Sequence, residues 1–450
     1  MEKNTITIRV PEGAGQVLRT LHGAGFEAYV VGGCVRDSIL MHTPQDWDIT
    51  TSARPNEVKA LFRRTVDTGI RHGTVTVLIG NEGFEVTTYR IDGAYEDGRH
   101  PKSVTFTASL DEDLKRRDFT VNAMAYSEES GLIDLFGGLE DLKARVIRAV
   151  GDPTERFTED ALRMMRAVRF AAQLDAVIEK KTLQGIRALA PNLRKVSAER
   201  TRVELEKLLV SDHPEEMRVL YETGLTAQFL PEFDACMTCE QHNPHHCYTV
   251  GEHIIHALCA VRSDKVLRLT MLLHDIGKPQ CRTTDENGID HFHGHVALGA
   301  KMADEILKRL KYDNDTRNKV VRLVSFHDRN MEDTEEGVRR GIVAVGEDLF
   351  PLLLEVKEAD LAAQSTFKAQ EKKERILCWR KLYERIIARG DCLSLKSLAV
   401  KGKDLTDLGV KPGRGMGQIL QKMLDDVLTN PSHNSRDYLL ATYVRTPEKP

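Results

Sequence analysis

The sequence predicts an α+β chain, with a mixed-sheet head followed by helices to its end. Three observations lead there. Residues 26–126 hold short β-branched runs separated by glycine or polar turns. From about Asp152 the pattern becomes helical. The 450 residues are also too many for one core, and about 150 residues per domain gives about three domains.

The head elements follow in order. Phe26–Val31 reads as a strand running into Gly32-Gly33, and Asn56–Phe62 as a short helix. Trp47–Thr51, Thr74–Ile79 and Phe84–Tyr89 read as further strands. Beyond the head, Thr158 with Glu159 and Asp160 reads as a helix N-terminus, and Ser197 as the N-cap of 198–210. Leu267–Ile276 reads as an apolar helix stopped by Gly277. The stretch 366–450 is charged and helical, with a break at Lys411–Gly415. The expected parts are a head at 1–130, a neck and body at 131–245, a third helical domain at 246–365 and a tail at 366–450.

Composition narrows the function. Lys+Arg is 64 and Asp+Glu 68, a formal net charge of -4, which excludes a uniformly basic nucleic-acid coat but not a local basic groove. The segment 155–210 is such a local excess, with 12 Lys/Arg against 8 Asp/Glu. No apolar run approaches the roughly 18 residues of a membrane span, and Met1–Ile6 has no signal-peptide core, so a cytoplasmic protein is expected. The 8 cysteines are scattered, unlike a disulfide framework. Cys236, Cys239 and Cys247 with His242, His245 and His246 offer zinc ligands, but at a spacing unlike a standard finger.

The head carries the first chemistry. Two adjacent glycines let backbone amides approach a ligand, or simply make a tight turn. Asp46 and Asp48 alternate on a strand and so share a face. Two carboxylates held close repel unless a cation lies between them, and Mg²⁺ takes carboxylate and phosphate oxygens. Glu85, on a later strand, either completes the cluster or is a solvated strand residue.

Val31-Gly-Gly-Cys-Val-Arg-Asp37, Asp46-Trp-Asp-Ile-Thr-Thr51 and Arg116-Arg-Asp-Phe-Thr-Val-Asn-Ala-Met-Ala-Tyr126 together resemble the class II tRNA nucleotidyltransferase/poly(A) polymerase family. The resemblance implies a polymerase-β-like head, Mg²⁺ as cofactor, and tRNA, CTP and ATP as partners. It implies that Asp46 and Asp48 hold metal, with Glu85 as a third catalytic carboxylate, and that Gly32, Gly33 and Arg36 meet the triphosphate. Arg117, Asp118 and Asn122 would contact the nucleotide. Asp118 and Asn122, four apart on a helix, suit a ribose hydroxyl, and Asp118 can equally be an N-cap. Glu159-Asp-Ala-Leu-Arg163 is similar to the family's nucleotide-selection motif. A carboxylate at Asp160 accepts from the amine of cytosine or adenine, and the guanidinium of Arg163 donates to the neighbouring acceptor. Arg166 would support that pair or bind phosphate, and Arg169 would also contact the nucleotide. Met41 stands where the family often has glycine. Thr68–Val77 is more similar to the tRNA-directed members than to the polyadenylating ones. Arg90–Pro101 resembles a loop of members that add the terminal A, which disfavours CC-only addition. Full CCA addition is the preferred reading; A-only addition and polyadenylation stay open.

His253, His274-Asp275, His295, His327 and Asp360 follow the order of the HD phosphohydrolase superfamily, which they resemble. The resemblance implies one divalent ion at His253, His274, Asp275 and Asp360, and a second at His295 and His327. It implies metal-dependent hydrolysis of phosphoesters, which suits repair of tRNA ends.

Overall fold

The computed structural model describes residues 6–92 and 104–444. The chain divides into two compact units, Met1–Pro231 and Glu232–Pro450.

The first unit is built on strands β1 (Ala28–Val31), β2 (Ile49–Thr51), β3 (Thr65–Gly69), β4 (Thr74–Ile79) and β5 (Glu82–Thr88). Strands β6 (Arg90–Asp92) and β7 (Val104–Phe106) make a separate ribbon, and β8 (Met124–Ser127) and β9 (Gly131–Asp134) complete the main sheet. Its order is β3-β4-β5-β2-β1-β8-β9. Strands β2 and β5 run parallel and the other neighbours antiparallel, so the sheet is mixed as expected. Helices Pro153–Glu159, Leu162–Leu174, Lys180–Leu189 and Ala198–Leu209 follow.

Three local expectations need correction. Strand β2 begins only at Ile49, so Asp46 and Asp48 lie in the extended lead-in to it. Thr158 is not an N-cap. Asp152 caps that helix by accepting from the Thr154 amide, and Pro153 at the first position starts it well upstream of Thr158. The helix then breaks at Asp160, whose carboxylate accepts from the Leu162 amide and leads into the next helix. Ser197 does precede its helix, but its side chain makes no cap bond. The loop expected at Arg90–Pro101 lies largely outside the described residues.

The second unit is helical. Its helices Val250–Ala260, Lys265–Leu273, His295–Arg309, Asn314–Phe326 and Phe350–Ala362 bring together the His and Asp residues singled out above. Thr249, Asp264 and Asp313 cap three of them. Gly277 does not end its helix in a left-handed turn; its φ is -84°. It is small for another reason. A Cβ there would meet the Gly299 amide and the His295 carbonyl at 2.7 Å, so glycine lets two backbones touch. Helices Ala369–Arg389, Arg414–Thr429 and Arg436–Tyr443 share one hydrophobic core with residues from Met331 to Leu354, including Trp379, Phe350 and Leu424.

Candidate functional sites: a carboxylate cleft and a histidine-aspartate cluster

The first site grows out of the sheet. Strand β1 runs into Gly32, whose φ of 83° favours glycine, and a Cβ there would stand 3.2 Å from the Arg117 guanidinium. The parallel register Ile49↔Val86, extended by one residue, sets Glu85 beside Asp48. The electrostatics agree. Burial raises the Asp48 carboxyl, Asp46 adds to this, and Arg117 opposes it. Burial, then Asp48 and Asp46, raises Glu85. Asp48 and Glu85, both raised, and the neighbouring Asp46 offer only oxygen donors, which suits Mg²⁺.

Asp46 and Asp48 face a cleft of about 790 Å³ that Gly32, Gly33, Asn122 and Phe170 also help to line. The Phe170 ring organises three guanidinium groups, with Arg36, Arg166 and Arg169 at 5.0, 5.2 and 3.5 Å from its centroid. Arg36 donates to the Asn122 amide oxygen at 2.6 Å, and Asn122 donates to Asp118 at 3.1 Å. Asp118 and Asn122 do meet, though across a 3₁₀ turn rather than along an α-helix. Asp118 also accepts from the Phe119 amide and pairs with Arg166 at 2.6 Å. Burial alone would raise its carboxyl, but Arg166 and Arg163 hold it below the usual range. Arg169 turns away to Glu204 at 2.8 Å. Arg117 Nε is buried without a protein acceptor, a donor left for a ligand.

Asp160 and Arg163 do not pair with each other. Arg163 pairs with Glu159 at 2.5 Å and donates to the Arg116 carbonyl, while Asp160 is gripped by Arg200 at 2.7 Å. Each is thus aimed by a separate partner. Sequence reasoning gave Arg200 no individual role. It also missed Asp113, which is fully buried and holds Arg116 and Arg117 at 2.7 and 3.4 Å. Arg200 had no local signal, because it reaches Asp160 from another helix, whereas Asp113 stands three and four residues before Arg116 and Arg117, a spacing the sequence did show.

The second site lies buried at the base of a cavity. The His253 and His274 side chains have no exposure and Asp275 has 2%. His253, His274 and Asp275 form one group of potential metal ligands, and Asp275, His295 and His327 a second. Asp360 lies 3.0 Å from His253 Nε2. Each histidine turns Nδ1 to a backbone carbonyl: His253 to Ala363, His274 to Met271, His295 to Phe292 and His327 to Val324, at 2.7–3.1 Å. This fixes the tautomer, so Nε2 is a lone pair facing inward. His253 Nε2 and His274 Nε2 then face each other at 3.1 Å. Two lone pairs at that distance need a cation or a proton between them. The donor set therefore fits divalent ions with imidazole and carboxylate ligands, Asp275 belonging to both groups. Lys278 pairs with Asp275 at 2.7 Å. Burial would raise the Asp275 carboxyl, but Lys278 and His274 hold it well below the usual range. No cysteine joins a ligand group among the described residues. Cys236 and Cys239 are buried, Cys247 is exposed, and His242 and His245 are engaged by Asp290 and Lys372.

Comparison with known proteins places the chain in a family. Residues 28–148 match the family described as Poly A polymerase head domain. Residues 177–237 match Probable RNA and SrmB-binding site of polymerase A, and 283–443 match tRNA nucleotidyltransferase domain 2. Fold and cleft thus define a nucleotidyltransferase with a poly(A)-polymerase-type head. The chain is 40% identical over 431 residues to a CCA-adding enzyme of Levilactobacillus brevis, covering 96% of each. A CCA-adding enzyme of Limosilactobacillus reuteri is 59% identical over 203 residues, 45% of this chain and 50% of that one. The Bacillus stearothermophilus CCA-adding enzyme in complex with CTP has a similar structure, with a TM-score of 0.72, 31% identity and coverage of 96% and 97%. This chain belongs to the CCA-adding enzyme family. No helix among the described residues is long and apolar enough to cross a membrane.

Proposed function

We propose that the chain adds cytidine, cytidine and adenosine to the 3′ end of tRNA from CTP and ATP, without a nucleic-acid template. The observation that carries this is the cluster Asp46, Asp48 and Glu85 at a cleft walled by arginines. Mg²⁺ bound there would stabilise the attacking 3′ oxygen and the departing pyrophosphate. Asp46 and Asp48 would hold it, with Glu85 completing the cluster. Gly32, Gly33, Arg36 and Arg117 would take the triphosphate, and Asp118 and Asn122 the ribose. Asp160 and Arg163, steadied by Arg200 and Glu159, would read the base edge, with Arg166 and Arg169 behind them. The relatives that are CCA-adding enzymes and the structure in complex with CTP support this reading. The parts would divide as head 1–130, neck and body 131–245, HD-type domain 246–365 and tail 366–450, in a cytoplasmic enzyme. Incubation with Mg²⁺, CTP, ATP and tRNA ending at the discriminator base is expected to lengthen the tRNA by three residues. No addition would overturn the reading; A added only to tRNA ending in CC would convert it to A-addition.

The His/Asp cluster supports a second activity in the same chain, phosphoester hydrolysis of the HD type, with 2′,3′-cyclic phosphates or 2′-nucleotides as substrates and tRNA-end repair as the purpose. His253, His274, Asp275 and Asp360 would hold one divalent ion, and His295 and His327 with Asp275 a second. The ions would supply Lewis-acid assistance. Water gives its hydroxyl to phosphorus, the bond from phosphorus to ribose oxygen breaks, and that oxygen takes the proton. Release of a phosphomonoester from a cyclic phosphate tests this; no release with Mg²⁺, Mn²⁺, Co²⁺ or Ni²⁺ would contradict it.

A further inference from the structure

The cavity over the His/Asp cluster has two sides. One, of about 750 Å³, is walled by the loop that carries His291, Phe292 and His293. The His291 and His293 rings stack with centroids 5.6 Å apart and planes 5° from parallel, and Asp285 holds His291 at 2.9 Å. The other side, of about 280 Å³, is walled by the start of helix Ala369–Arg389, with Lys368, Lys372 and Arg375. The two sides share His327, Asp328, Asn330, Asp360, Gln364 and Lys372, so they meet at the cluster.

Lys372 stands at that junction. Its ammonium donates to Gln364 Oε1 at 2.5 Å and lies 3.2 Å from His245 Nδ1. Gln364 in turn donates to Asp360 at 3.1 Å. Among the described residues, no carboxylate pairs with Lys372, whereas Lys278 on the opposite flank is committed to Asp275. Arg375 lies 3.4 Å from Asp333 and donates to the Met331 carbonyl, and among the described residues Lys368 has the Phe367 ring beside it and no carboxylate. Asp328 and Glu371 are the acids on this side apart from Asp360. A single phosphate at the cluster would occupy neither wall. Flat imidazoles suit a nucleobase, and unpaired cations beyond the cluster suit a second phosphate.

We infer that this cavity takes the 3′-terminal nucleotide of a polynucleotide strand, with its base against His291 and His293, its terminal phosphate at the cluster and its preceding phosphodiester on Lys372 and Lys368. The inference rests on the hydrolase reading for its chemistry, but its binding mode stands apart from turnover. A free mononucleotide leaves the lysine side unused.

Two readouts test it on the full-length chain. First, an amine-acylating reagent with peptide mass mapping is applied to the protein loaded with Mg²⁺, alone, with a cytidylyl-adenosine dinucleotide ending in a 3′-phosphate, or with adenosine 3′-phosphate. The dinucleotide is expected to protect Lys372 several-fold more than the mononucleotide does. Second, with metal, Lys372→Ala is expected to lower kcat/KM for a dinucleotide 2′,3′-cyclic phosphate about tenfold more than for the mononucleotide, the size of one lost charge-assisted bond. Lys372→Arg should restore most of that difference. Equal protection by both ligands, or equal loss on both substrates, overturns the inference. If the wild type hydrolyses neither substrate, the hydrolase reading fails, and the protection experiment alone decides the binding mode.

Discussion

The two sites solve the same problem, holding like charges or lone pairs close together, in opposite ways. The head cleft is open, and its carboxylates come from a short lead-in to β2 and from a neighbouring strand. Fixed guanidinium groups surround them, so much of the field is set by salt bridges such as Asp118–Arg166 and Asp160–Arg200. The second site is buried, and its histidines are locked by carbonyls with Nε2 turned inward. An open site can acquire its metal with the nucleotide and release both each cycle. Ligands buried at the base of a cavity, with preset tautomers, would hold a divalent ion more durably.

The sharpest break between them is a pair of variants. Asp46→Ala is expected to lower nucleotide addition a thousandfold or more, on the order of 4 kcal/mol of transition-state stabilisation, while hydrolysis persists. Asp275→Ala should do the reverse. Loss of both activities in either variant would tie the two sites together. A chelator sharpens the same contrast with a smaller effect. An ion bound at about 100 times its dissociation constant contributes about 2.7 kcal/mol. Its removal should speed amide exchange in helices Val250–Ala260 and Lys265–Leu273 and leave strands β1 and β2 unchanged.

Within the head, Arg200→Ala releases Asp160 from its guanidinium partner. Base selection is expected to relax, with CTP efficiency falling about tenfold, the scale of a lost charge-assisted bond, and UTP or GTP use rising. Unchanged selectivity would mean that Asp160 does not read the base. Next comes pH. Asp48 and Glu85 are both raised above ordinary carboxylates. Metal-free, they favour the protonated fold, so their contribution to stability improves as pH falls through their folded values. Mg²⁺ needs them ionised. Its affinity should therefore fall on acidification from a midpoint above the ordinary carboxylate range, and Arg117→Ala should move that midpoint higher. The smallest expected effect is at Met41, which is 90% exposed with φ of 60°. Met41→Gly removes left-handed strain of about 1–2 kcal/mol and adds a glycine's unfolded-state freedom of about 0.5–1 kcal/mol. A net gain of roughly 0.5 kcal/mol is expected by denaturant titration.

Much of this was legible in the chain. The mixed sheet and the helical body follow from periodicity. The six His and Asp positions converge as their order suggested, because each sits at or near a helix end and apolar packing fixes where those ends meet. Met41 was visible as a departure, and its left-handed backbone is the physical reason glycine suits the place. What periodicity could not show were long-range partnerships. Asp160 sits in a helix break because its own carboxylate caps the next helix, and Arg200 reaches it from 40 residues away. Gly277 marks a backbone contact with Gly299 rather than a helix end. Lys372 lies in a stretch that reads only as charged helix, and its place beside Asp360 depends on how Ala369–Arg389 packs.

The central claim is that the open carboxylate cleft builds a defined three-nucleotide end. It is tested most directly by sequencing the products formed on tRNA lacking its terminal CCA, with each nucleotide triphosphate omitted in turn. The account predicts CCA with both CTP and ATP, arrest after CC without ATP, and nothing added without CTP. Runs of A, or A added to a tRNA ending at the discriminator base, would contradict it.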